Sequence, residues 1–177
     1  DFVILKQYIY DMKNKWLIGL VFLIFIACEK DDICEGEAAT PNVRIEFYDK
    51  ANSTVLKPFF KIECYVLPEI GNDTIKVIEY FNRSEIQLPL DITSNQTVWN
   101  LKFFEIINND TIEKIDQLTF NYSPKTEYVS KACGYKTVFD NVSTTINNNG
   151  VGTWITNFTP LTNNITNEEN PHAKIYY

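Results

Sequence analysis

From residue 42 onward, apolar side chains recur at alternate positions, and no stretch keeps a helical period. Alternation puts one row of side chains on each face of an extended chain, so it marks half-buried strands. In NVRIEFYD, Val43, Ile45 and Phe47 share one face, with Arg44, Glu46 and Tyr48 on the other. FFKIECYVLP reads with Phe60, Ile62, Cys64 and Val66 inward. TIKVIEYF is a further strand, and EIQLPL gathers Ile86, Leu88 and Leu90 on one side. DQLTFNYS points Leu118, Phe120 and Tyr122 inward. TVWNLKFFEII is apolar on both faces, which predicts a central strand or a bulge. EYVSKACGYKTVFD supplies one or two strands and HAKIYY a last one.

Turn signals separate these runs: Asp49 to Thr54, IGND at 70–73, INND at 107–110, and a Gly-rich stretch from Asn147 to Gly152. Gly, Asn and Asp tolerate the positive φ that tight hairpins demand. The expected fold is therefore all-β: an antiparallel β-sandwich of roughly 7–9 strands. It should fill residues 42–177, a length that can bury a real core. VRIEFYD and AKIYY are so β-prone that at least one should be paired, because an exposed apolar edge invites aggregation.

The first residues are of another kind. Met12 is the sole methionine. It opens MKNK, then an apolar run from Trp16 to Ala27, then Cys28. That run is shorter than the roughly 20 residues a membrane-spanning helix needs, and it fits the core of a signal peptide. Residues 1–11 then read as upstream sequence with no part in the signal, residues 12–27 as the signal, and residues 28–41 as a polar tether ending at Pro41. Phe25-Ile26-Ala27-Cys28 resembles a lipobox, the bacterial lipoprotein signal. The likeness implies that Cys28 is the lipidation site. Two or more acyl chains make a stable anchor where one is marginal. Glu29, Lys30, Asp31 and Asp32 resemble the export tag of Bacteroidota lipoproteins, which implies the outer face of the outer membrane. The alternatives are a plain solvated tether and a periplasm-facing anchor.

Lys and Arg number 16 against 23 Asp and Glu, a formal net charge of −7. Dropping residues 1–27 leaves the balance acidic. Nucleic acid is not expected as a partner. With Cys28 lipidated, Cys34, Cys64 and Cys133 remain. Cys64 lies on an apolar face and should be a buried thiol. Cys34 and Cys133 are the better disulfide pair in an exported chain; the alternative is three free thiols.

Candidate chemistry is scarce. The single histidine, His172, reads as an ordinary surface residue. No C-x-x-C or H-E-x-x-H occurs, so no zinc site is expected. No nucleophile elbow or phosphate-cradling loop occurs, so no catalytic residues are assigned and no cofactor is expected. The phrases IGNDTI and INNDTI carry Asp-Thr-apolar, which resembles a Bacteroidota O-glycosylation acceptor. Thr74 and Thr111 are the candidate positions, beside the plain reading as hairpin turns.

CEKDDIC, TP-x-VRIEFYD, YVSKACGYKTVFD and the final HAKIYY together resemble a Bacteroidota lipoprotein family with a domain of unknown function. The likeness spans nearly all of residues 28–177, marks Cys34 and Cys133 as landmarks, and implies no activity. The expected function is that of a lipid-anchored outer-membrane protein at the cell surface. It is non-enzymatic and docks on an outer-membrane barrel or another envelope protein. The alternative is a surface glycan-binding module, with Tyr48, Tyr65, Tyr80 and Trp154 as exposed rings for stacking on sugars.

Overall fold

The computed structural model describes residues 34, 39–67, 76–148 and 153–177. Nine strands run through them: β1 (Val43–Tyr48), β2 (Phe59–Val66), β3 (Lys76–Arg83), β4 (Glu85–Leu88), β5 (Gln96–Ile107), β6 (Asp110–Ser130), β7 (Gly134–Asn148), β8 (Asn157–Pro160) and β9 (Ala173–Tyr176). No helix occurs among the described residues. The strands form two sheets, ordered β4-β1-β9-β8 and β3-β2-β5-β6-β7.

A single core lies between the sheets. Ile45, Phe47, Ile86, Leu88 and Ile175 enter from the smaller sheet, and Ile62, Cys64, Trp99, Leu101, Leu118 and Phe120 from the larger. Burying a Val, Leu, Ile or Phe side chain is worth about 1.5–3 kcal/mol, so this shared layer dominates the stabilisation. The alternation read from the sequence is what fills it. β5, apolar on both faces, is indeed the middle strand of the larger sheet.

Two expectations about pairing need correction. The sandwich is not wholly antiparallel, because β1 and β9 pair in parallel, Ile45 opposite Ala173 through Tyr48 opposite Tyr176. The two most β-prone segments, far apart in sequence, thus cover each other. Phe60 does not point inward; it is 47% exposed, and Phe59 takes the buried position at 2%. The residue across the strand pair is Asn82, whose φ of 50° puts it in the left-handed region. That twist breaks alternation at the end of the β2–β3 pair, just where β3 leaves its sheet and the chain enters β4. Asn carries positive φ more readily than bulkier residues.

Local turn chemistry sets the longest hairpins. Ile107 pairs with Asp110, leaving Asn108 and Asn109 as a two-residue loop with φ of 52° and 69°. Positive φ at both central residues is the signature of a type I′ turn, whose twist matches that of its strands. Between β6 and β7 the register slips between Asn121 and Ser123, where β7 holds an extra residue. Asn141, at φ 55°, lies in that bulge. The tip of this hairpin closes at Gly134, whose φ of 71° suits a residue without a Cβ.

Candidate functional site

Cys34 and Cys133 are joined, with Cα atoms 5.0 Å apart. The bond ties the tether to the tip of the β6–β7 hairpin, where the Cys133 N–H donates to Ser130 Oγ at 3.0 Å. Cys64 is a buried free thiol, and burial pushes its pKa far above the ordinary range. Burial and a raised pKa both work against a role as nucleophile or metal ligand, which needs an accessible thiolate. Tyr128 and Tyr135 pair across the same hairpin, 61% and 69% exposed. Cys28, Glu29, Lys30, Asp31, Asp32 and Thr74 lie outside the described residues. Thr111 is exposed one residue into β6, opposite Ile106 beside the Asn108–Asn109 turn.

The structure corrects the reading of His172, which is buried at 7%. It grips Arg44 twice. Its Nδ1 accepts the Arg44 N–H at 2.9 Å, and its own N–H donates to the Arg44 carbonyl at 2.8 Å. An accepting Nδ1 requires the proton on Nε2, which then donates to the Asn167 carbonyl at 2.8 Å. Burial holds the imidazole below its ordinary pKa, against the opposing pull of that carbonyl and Glu168. Arg44 completes the knot. Its guanidinium donates to Glu85 at 2.8 and 3.1 Å and to the Glu169 carbonyl at 3.0 Å. This histidine fastens the loop before β9 to β1. Two clefts of about 370 and 450 Å³ flank that loop and share Thr166 and Asn167 on their walls.

Trp154 also departs from expectation. It is 5% exposed, stacked on Phe103 at 4.7 Å, and its indole donates to the Leu101 carbonyl at 3.3 Å. Tyr80 is committed as well, since its hydroxyl exchanges hydrogen bonds with the Gln87 backbone. The four rings therefore do not form an exposed row. Sequence reasoning missed Asp116 altogether. It is fully buried on β6, and its Oδ2 accepts the N–H groups of Trp154 and Ile155 at 2.9 and 2.7 Å. That contact positions the crossing segment that seats Trp154. Its place in the alternation, two residues before Leu118, was the available signal.

The outer face of the larger sheet divides in two. One half is an ion grid: Lys61 with Glu63 and Glu79, Lys102 with Glu113, and Lys61 lying over Phe104 and Phe81. Beside it runs a row of side-chain amides. Gln117 donates to Asn100 at 3.2 Å and accepts from Asn147 at 3.3 Å, across β5, β6 and β7. Among the described residues no group of three or more His, Cys, Asp or Glu side chains is arranged to hold a metal ion.

Residues 61–177 match DUF6452, a family of unknown function. The chain belongs to this family. The DUF6452 match begins within β2 and takes in Asp116, Cys133, Trp154 and His172, whereas β1 and Cys34 precede it. No curated protein and no solved structure matches the chain.

Proposed function

We propose that this DUF6452 protein is a Bacteroidota lipoprotein of the outer membrane, anchored through Cys28 and exposed at the cell surface. Its sandwich docks on a neighbouring envelope protein, such as a β-barrel, and catalyses nothing. The observation that carries the reading is the Cys34–Cys133 bond. Cys28 precedes Cys34 by six residues, and an extended chain gains at most about 3.6 Å per residue. The hairpin tip would therefore be held within roughly 20 Å of the anchored cysteine. A short leash of that kind suits contact with a membrane neighbour better than capture of distant ligands. Glycan stacking loses support with the burial of Trp154.

The test is fractionation and crosslinking in the native cell. Wild-type protein should sediment with outer membranes and crosslink to a discrete envelope protein, and Cys28→Ser should lose both properties. Replacing Lys30, Asp31 and Asp32 with alanine should abolish cleavage by external protease. Mature protein with an unmodified Cys28 would end the anchor reading.

A further inference from the structure

We propose that the free edge of β3 is the docking edge, and that it accepts an extended partner segment of pattern apolar–x–Lys/Arg–x–apolar. This deepens the docking reading and rests on it. The four sheet edges differ. β4 and β8 have four residues each, and β8 ends in Pro160, which has no N–H to donate. β7 is covered along its middle: Phe139 and Ile165 exchange backbone hydrogen bonds, and the Val142 N–H donates to the Asn163 carbonyl. β3 is eight residues long, pairs with β2 alone, and has no strand on its other side among the described residues. A long open edge offers unpaired N–H and C=O groups as a template for a further strand.

The side chains along this edge define the partner. Val77 and Phe81 lie on the outer face, 52% and 50% exposed, and Glu79 stands between them with its side chain 47% exposed; its Lys61 partner at 3.0 Å is shared with Glu63, so the three side chains together carry one negative charge. A second copy fits badly. A two-fold antiparallel β3–β3 pairing that sets Val77 opposite Phe81 also sets Glu79 against Glu79, and like charges directly opposite repel. A basic residue in that place is attracted instead, and apolar residues two positions to either side cover Val77 and Phe81. Glu79 thus disfavours self-association and selects a cationic centre.

The test uses the full chain purified in mild detergent and seven-residue synthetic peptides of alternating Val and Thr, with either Lys or Glu at the centre. Amide hydrogen exchange reads the β3 residues. The Lys-centred peptide should slow exchange in residues 76–83. The Glu-centred peptide should need roughly tenfold more to do so, the scale of one or two cross-strand pairs. Val77→Lys with Phe81→Lys should remove the protection. Glu79→Lys should reverse the peptide preference, an outcome that misfolding cannot produce. Absence of β3 protection, equal protection by both peptides, or a β3-linked dimer in light scattering would overturn the proposal. Since no membrane enters this measurement, its failure is separate from failure of the anchor. An envelope partner that still crosslinks to the Val77→Lys, Phe81→Lys variant would leave docking standing and reject this edge.

Discussion

His172 shows how one side chain can make folding depend on pH. Its Nδ1 must accept from Arg44, so protonation would bring two donors face to face. Burial holds its folded pKa below the ordinary 6.5. The unfolded chain therefore takes up the proton first as pH falls. The stability His172 contributes is complete above about pH 6.5 and is lost as pH drops through the folded pKa. It is the chain's one histidine, so no second imidazole titrates in that range. Urea unfolding between pH 7.5 and 5.5 should show stability declining by at most about 1.4 kcal/mol per pH unit. His172→Gln should be less stable at pH 7.5 and nearly flat over the same range. A wild-type profile without slope there would refute the assigned tautomer.

At the scale of elements, the β6–β7 hairpin is where the tether meets the domain. The disulfide closes a loop spanning 99 positions. In the chain-entropy account a loop of that size is worth up to about 4.7 kcal/mol. Cys34→Ser should therefore lower stability by a few kcal/mol and free the tether to proteolysis. It should leave the strands intact, since they are held by pairing and the core. Peptide mapping without reductant should recover the Cys34–Cys133 pair. Cys64 should resist maleimide until urea unfolds the chain, because its thiol is buried and un-ionised. Labelling of Cys64 in the native protein would contradict its place in the core.

The whole molecule depends on a contact that belongs to neither sheet alone. Asp116 sits in the larger sheet and holds the N–H groups of Trp154 and Ile155, which lead toward β8 in the smaller one. Asp116→Ala would strand two buried donors and loosen Trp154 from Phe103 and Phe47. The expected loss is on the order of 3 kcal/mol, since each unsatisfied buried donor costs about 1–3 kcal/mol. Urea unfolding measures it, and near-UV circular dichroism should register the released indole. A loss under about 1 kcal/mol would mean that the crossing segment is held by packing alone.

Period-two alternation was enough to mark an all-β sandwich, most of its strands and, Phe60 apart, their inward residues, because strand geometry repeats every two residues whatever lies opposite; the short β8 carried no such mark. Asn108 and Asn109 announced their hairpin, since the backbone angles of a tight turn are a local matter. The apolar neighbours of Cys64 announced a buried thiol, also a local matter, whereas the Cys34–Cys133 bond stood beside the alternative of free thiols until the fold brought the two together. The parallel union of β1 and β9, the burial of His172, Asp116 and Trp154, and the exposure of the β3 edge came from tertiary structure. Alternation tells which face of a strand is covered, but not by what. Partners on either side of β1–β9 lie more than a hundred residues apart, and a polar side chain enters the core only when distant backbone groups arrive to satisfy it.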